Sequence, residues 1–269
     1  MPESDPVLTA SNKGYRYGDG LFETMKVVNG KLLLQSYHFE RLFSGLLQIK
    51  AVMPAFFKPE KLLDEILSLC QKNKCTELAR IRLSVYRGTG GIYEENNDAG
   101  YIIECWPLDA AANEINVNGL VTGIFPGGRK SADEFSSLKS SSALIYTMAA
   151  KYAREHRFND CLVLNTAGNI ADSTIANVFA IKGDSVFTPA LSEGCIAGTM
   201  RQYLINSLGL AGMQVEEIIV STSFLADADE IFLTNAVKGI RWVKELEGKI
   251  YSCEKTVHIY NRFIKTIFT

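Results

Sequence analysis

Four places in the chain carry residue types that could do chemistry. The first is Lys139, a lone lysine in Ser136-Ser137-Leu138-Lys139-Ser140-Ser141-Ser142, ahead of a helical run predicted from Ala143 to His156. The positive end of a helix dipole disfavours an ammonium and lowers its pKa, which makes the amine a nucleophile able to form Schiff bases. Read alone, Lys139 is equally a solvated lysine in a polar loop. The second is Arg41, in His38-Phe39-Glu40-Arg41-Leu42. It is either a surface arginine or a bidentate clamp for phosphate. The third is Gly194-Cys195-Ile196-Ala197-Gly198-Thr199-Met200-Arg201, a loop feeding a helix. The free N–H groups of that helix start could hold an anion, or Thr199 could simply be a cap. The fourth is Asp172, in a segment of small and apolar residues. A buried carboxylate there needs a cationic partner, such as a protonated ring nitrogen; the alternative is a turn aspartate bonded to its own backbone.

Other chemistries fall away. Gly88-Thr89-Gly90-Gly91 lacks the third glycine of a dinucleotide fingerprint, and Gly127-Gly128-Arg129-Lys130-Ser131 lacks the glycine before lysine that a P-loop needs. The six cysteines contain no C-x-x-C pair and there are only three histidines, so no metal site is expected and the thiols read as reduced core residues of a cytoplasmic protein. Twenty-eight basic and 30 acidic residues are well mixed, which offers nothing to nucleic acid. No apolar run reaches membrane-spanning length, and the polar start at Met1-Pro2-Glu3-Ser4-Asp5 predicts no secretory signal.

The elements that must position these residues follow from periodicity. Asn29-Gly30 between β-prone runs (Glu23 to Val28, Lys31 to Leu34) predicts a hairpin. Helical spacing runs from Phe39 to Ile49, and Pro59-Glu60 opens a second helix. Ile81, Leu83 and Val85 alternate with polar residues as a half-buried strand, followed by a strand from Tyr101 to Cys105. Small polar residues over 109–118 and Gly127-Gly128 bracket a boundary, so the domains are expected to be 1–120 and 121–269, the second carrying Lys139. Beyond it, strands are predicted over Cys161 to Asn165, Asn177 to Ile181, Ser185 to Thr188, Val215 to Val220, Ile231 to Thr234 and Val237 to Val243. Helices are predicted over Thr199 to Leu208 and Glu254 to Phe268. Hairpins and helices do not alternate in βαβ style, so the class is α+β.

Taken in order, these segments resemble the class IV (fold type IV) pyridoxal-phosphate enzymes. The matching stretches are Tyr17-Gly18-Asp19-Gly20-Leu21-Phe22-Glu23-Thr24, His38-x-x-Arg41-Leu42, Leu138-Lys139, Gly168 to Phe179, Gly194 to Arg201, and Asp229 to Asn235. The resemblance implies a two-domain fold like that of D-amino-acid aminotransferase, with pyridoxal 5'-phosphate between the domains, usually in a homodimer. It makes Lys139 the Schiff-base lysine. Arg41, Thr199, Met200 and Ala236 become phosphate contacts, and Asp172 the acid facing the pyridine nitrogen. The family normally has Glu at that last position. Asn177 keeps the register, so Asp172 is a true replacement, one methylene shorter, reaching the nitrogen through a water or a small shift.

Within the family, the Arg-x-His carboxylate trap of D-amino-acid aminotransferases is missing after Arg87-Gly88-Thr89. Leu144 stands where branched-chain aminotransferases usually have Tyr, and Ala236 where they carry Thr. The resemblance is closer to 4-amino-4-deoxychorismate lyases, which implies formation of 4-aminobenzoate and pyruvate for folate synthesis. The alternatives are a branched-chain or other class IV amino acid aminotransferase, and a cofactor-binding relic without turnover. Arg82 and Arg87 are each either contacts for substrate carboxylates or surface strand residues.

Overall fold

The computed structural model describes residues 5–94 and 98–268; the polar start at Met1 to Ser4 lies outside them. The chain forms two compact units. One comprises Met1–Leu108 with Lys139–Ser142, the other Asp109–Leu138 with Ala143–Thr269. The boundary therefore falls earlier than 120, and Lys139 packs with the first unit although it was expected in the second.

The first unit is an antiparallel sheet backed by helices. A short helix α1 (Lys13–Tyr17) leads into β1 (Gly20–Val28) and β2 (Lys31–Leu32), then α2 (Gln35–Gln48), α3 (Pro59–Lys72), β3 (Leu78–Arg87) and β4 (Ala99–Pro107). The strand order is β2-β1-β3-β4. Asn29 and Gly30 take φ of 49° and 73°, the left-handed pair that a two-residue hairpin turn demands. Alternation along β3 buries Ala79, Ile81, Leu83 and Val85. Leu42 and Leu46 of α2 and Leu62 and Ile66 of α3 are buried too, with α2 set against β1 and α3 against β4. Pro59 opens α3 at a position where its missing N–H costs nothing.

The second unit holds a larger mixed sheet. Its strands are β5 (Leu120–Ile124), β6 (Asp160–Leu164), β7 (Ile170–Ser173), β8 (Asn177–Lys182), β9 (Ser185–Pro189), β10 (Val215–Ile218), β11 (Glu230–Asn235), β12 (Gly239–Leu246) and β13 (Lys249–Ile250). They run in the order β10-β9-β8-β11-β12-β5-β6-β7, with β13 on β12. Its helices are α4 (Leu144–Glu155), α5 (Thr199–Leu210), α6 (Thr222–Asp227) and α7 (Glu254–Ile259). Strands β6, β7 and β8 are buried almost end to end, and Leu162, Ile170, Val178, Ile231 and Val243 form the core between them. A continuous apolar strand of this kind is covered on both faces. The expected last helix is α only to Ile259; it then widens to a π turn (Tyr260–Ile264) and ends tightly wound. Two sheets with helices set beside them, rather than alternating strand by strand, make each unit α+β.

Candidate active site

In the first unit the site is built around one buried acid. Glu23 is an inward position on β1 and only 1% exposed, so its charge must be met by cations. Two residues of α2 meet it. Arg41 Nε donates to Glu23 Oε1 at 2.8 Å and Arg41 Nη2 donates to Oε2. His38 Nδ1 lies 2.6 Å from Oε2. Residues three apart on a helix share a face, which is why His38-x-x-Arg41 can close on a single carboxylate. Burial alone would raise the Glu23 carboxyl, but Arg41 and His38 outweigh it and hold it down at about 2. Burial pushes His38 below its ordinary value; Glu23 opposes that, and the charges of Arg41 and Lys139 add to it. A neutral imidazole giving its Nδ1 proton to Glu23 leaves Nε2 as a lone-pair acceptor, and that atom is buried without a hydrogen-bond partner. Arg41 is thus no surface arginine. It is 14% exposed, with its guanidinium plane locked by Glu23.

Lys139 sits on an extended segment that pairs with β1. Phe22 N–H donates to the Lys139 carbonyl at 3.0 Å, and Ser141 N–H donates to the Gly20 carbonyl at 2.9 Å. Helix α4 begins only at Leu144, with Ala143 as its cap. The helix dipole, which fades within the first turn, is therefore not what tunes Lys139, contrary to the expectation from sequence. It shares the Phe22 ring with a second cation, Arg82. Lys139 Nζ lies 4.5 Å from the Phe22 ring centre, and the Arg82 guanidinium lies 3.9 Å from the same centre. Arg82 Nε also donates to Ser84 at 3.0 Å. Arg87 is used differently: it binds Asp19 at 2.7 Å and the carbonyls of Ile49 and Lys50, which makes it a structural tie.

In the second unit Asp172 lies within β7, not in a turn, and is 2% exposed. Lys130 Nζ donates to Oδ2 at 3.0 Å and Tyr146 Oη donates to it at 2.7 Å. Asn177 Nδ2 donates to Oδ1 at 3.0 Å, and the Ile196 N–H reaches Oδ2 at 3.1 Å and Oδ1 at 3.3 Å. Burial, then the charge of Asp172, raises the Tyr146 phenol far above its ordinary range, so it stays a donor. The cation that a buried aspartate requires is thus Lys130, which reading the sequence passed over because it sat in a glycine turn. Asn177 does a second task. Its Nδ2 also donates to the Ile196 carbonyl at 2.7 Å, tying the aspartate to the loop that opens α5.

That loop ends at Gly198, the cap of α5, with no side-chain hydrogen bond to the helix start. Thr199 is the first helical residue, not the cap. A Cβ on Gly198 would meet Asn177 Oδ1 at 1.9 Å, so only glycine lets the backbone pass there. Thr199 and Met200 occupy the first turn, where N–H groups have no helical acceptor. Arg201 is turned inward to the Pro189 carbonyl and Glu217, anchoring the helix from behind. Ala236 lies in the turn between β11 and β12, where Asn235 Oδ1 accepts from the N–H groups of Val237 and Lys238.

These residues can be held against the demands of a phosphorylated pyridine aldehyde. In the first unit a locked arginine and the Lys139 amine, and in the second an uncapped helix start behind an obligatory glycine, are groups of the kind that its phosphate and carbonyl ends require. Asp172 brings the charge that a ring nitrogen would seek. About four lone pairs are available on a carboxylate, and all are engaged, so a ring N–H must displace one of the present donors.

Comparison with known proteins agrees with this chemistry. The family model for amino-transferase class IV matches residues 20–246. An aminodeoxychorismate lyase of Bacillus subtilis (strain 168) is 30% identical over 94% of this chain and 86% of its own. A putative 4-amino-4-deoxychorismate lyase from Legionella pneumophila has the same fold, with a TM-score of 0.86 at 25% identity, over 97% of this chain and 96% of its own. A branched-chain aminotransferase from Thermoproteus uzoniensis superposes with a TM-score of 0.88 at 21% identity, over 100% of this chain and 92% of its own. Among the described residues no helix is long and apolar enough to cross a membrane. The chain belongs to the class IV aminotransferase family, whose enzymes are pyridoxal-phosphate-dependent and include both transaminases and lyases.

Proposed function

We propose that this enzyme binds pyridoxal 5'-phosphate and acts as an aminodeoxychorismate lyase, releasing 4-aminobenzoate and pyruvate. The observation that carries the reading is the grouping of Lys139 and Arg82 on Phe22, with Arg41 clamped on Glu23 in the same unit. It sets a nucleophilic amine beside a cation able to take a substrate carboxylate. When bound, the cofactor supplies a carbonyl that condenses with amines and a ring that withdraws electrons from the substrate's α-carbon. Arg41 would hold the phosphate, with the N–H groups of Thr199 and Met200 and the turn at Ala236 as further contacts. Lys139 Nζ would be the amine for the carbonyl and, as general base, would take the proton from the substrate's α-carbon. Asp172 would be the acid for the ring nitrogen, once one of its present donors gives way. Arg82, held by Ser84 and by a half-exposed ion pair with Glu104 at 3.9 Å, would exchange that pair to orient a substrate carboxylate. The relatives named as lyases, together with Leu144 and Ala236 at the positions discussed above, favour the lyase over the transaminase.

Borohydride reduction of the loaded enzyme followed by peptide mapping tests the lysine. The cofactor is expected on Lys139, and a mark on another lysine would sink the assignment. For the reaction, the loaded enzyme is offered aminodeoxychorismate and, separately, branched-chain amino acids with 2-oxoglutarate. Aminobenzoate without keto-acid exchange is the expected result. Rapid exchange with no aminobenzoate makes it a transaminase, and a reducible lysine with neither product makes it a relic.

A further inference from the structure

Away from the site, three of the six thiols come together. Leu62, Ile66 and Cys70 recur every four residues along α3 and so share its buried face. After α3 the chain turns through Lys74, whose φ of 55° is left-handed, and Cys75 N–H donates back to the Cys70 carbonyl at 3.0 Å. This helix-ending turn brings Cys75 beside Cys70. Cys105 arrives from β4, the edge strand, in register with Ile81. The Cys75 and Cys105 sulfurs are 3.0 Å apart and those of Cys70 and Cys105 are 3.6 Å apart; all three lie within 4.8 Å of one another. Cys70 and Cys75 are buried, whereas Cys105 is half-buried and keeps one side toward solvent.

We propose that Cys70, Cys75 and Cys105 form a trithiolate site for a soft d10 metal ion of the Zn2+ or Cu+ class. A metal–sulfur bond of about 2.3 Å puts sulfurs about 3.8 Å apart in a tetrahedral set. The two spacings to Cys105, 3.0 and 3.6 Å, are both within 1 Å of that value, so small side-chain rotations that open the set suffice. The set contains only thiols, which selects thiophilic ions over magnesium or calcium. Binding forms three metal–sulfur bonds and breaks three S–H bonds, with the protons passing to solvent; water or a small anion completes the open side at Cys105. Each thiol must give up its proton to bind the ion, so uptake strengthens as pH rises. The bound ion would fasten the end of α3 to the edge of the sheet.

The test uses cofactor-loaded, reduced enzyme stripped of metal by a chelator. It is titrated in separate arms with Zn2+, with Cu+ against a chromogenic competitor, and with Cd2+ as a spectroscopic probe. One ion per chain is expected, with a sulfur-to-cadmium charge-transfer band, release of three protons and a raised Tm. The arm that resists competition identifies the ion. X-ray absorption of the loaded protein should show three sulfur neighbours. Cys105→Ser is expected to abolish saturable binding while keeping the cofactor spectrum, and Cys253→Ser to leave binding intact. Binding that survives Cys105→Ser, or no uptake by correctly folded wild-type protein, overturns the site. So does preferential closure of a Cys75–Cys105 disulfide under mild peroxide in protein that takes up no metal.

Discussion

The ammonium of Lys130 lies 3.0 Å from Oδ2 of Asp172, both side chains almost wholly buried. On the proposed reading, in which Asp172 is the acid for a ring nitrogen, this ion pair sets the terms on which it can serve. Lys130→Ala strands a buried carboxylate and should cost about 3–5 kcal/mol in urea unfolding. Pairing Lys130→Met with Asp172→Asn should recover most of that loss. A single Lys130→Ala as stable as wild type would mean that the pair carries no weight. In Lys130→Arg, which keeps the charge, the cofactor absorbance should stay close to wild type.

Acid sensitivity follows from Glu23. Its folded carboxyl is held near 2 against an ordinary 4.5, so its contribution is complete above 4.5 and is lost as pH falls toward 2. His38 acts in the same direction. It is kept neutral in the fold, so the unfolded chain gains protons first as pH drops below 6.5. Urea midpoints measured through this range should fall steadily. In Glu23→Gln the slope below 4.5 should flatten, on top of a loss of about 3 kcal/mol at neutral pH from unpairing Arg41. An unchanged acid slope in that variant would place the sensitivity elsewhere.

Gly198 marks a close passage of backbone past Asn177. Gly198→Ala should force the two apart and cost about 1–3 kcal/mol. Because the shifted backbone carries the Thr199 and Met200 N–H groups, cofactor affinity should fall about tenfold or more, read by fluorescence titration. Gly209→Ala, in the same helix with open space around its Cβ, is the control: it should leave cofactor affinity unchanged and raise stability by about 0.5–1 kcal/mol.

Two of the three arginines of β3, Arg82 and Arg87, should separate in kinetics. Arg82→Ala should raise KM for a carboxylate substrate about tenfold or more, with little change in unfolding. Arg87→Ala removes the tie to Asp19 and two carbonyls, so it should lower stability by about 1–3 kcal/mol while KM stays put. The reverse pattern would transfer the substrate role to Arg87.

Much of the frame was legible from local pattern. The Asn29-Gly30 hairpin, the Pro59 helix start and the alternation around Ile81 each carry their signal within a few residues, and each forms as read. What escaped was set by distant partners. Strand β7 around Asp172 is four residues long and looks like a turn until β6 supplies its hydrogen bonds. Lys130 and Tyr146 carry no motif, since their meaning is a shared acceptor 42 and 26 residues away. The cysteine trio looked like scattered core residues because Cys105 joins Cys70 and Cys75 only across β4 and α3.

By itself, the sequence determined the α+β class, the ordered motifs and the lysine, arginine and aspartate proposed to carry the chemistry, because residue type and short-range spacing are local properties of a chain. Only the tertiary structure decided what surrounds each of them. It set Lys139 on an extended segment beside β1 instead of at a helix start, turned Arg41 inward to Glu23, and gave Asp172 a lysine. A charge buried in a fold takes its properties from groups brought close in space, and at these sites those groups come from other elements of the chain.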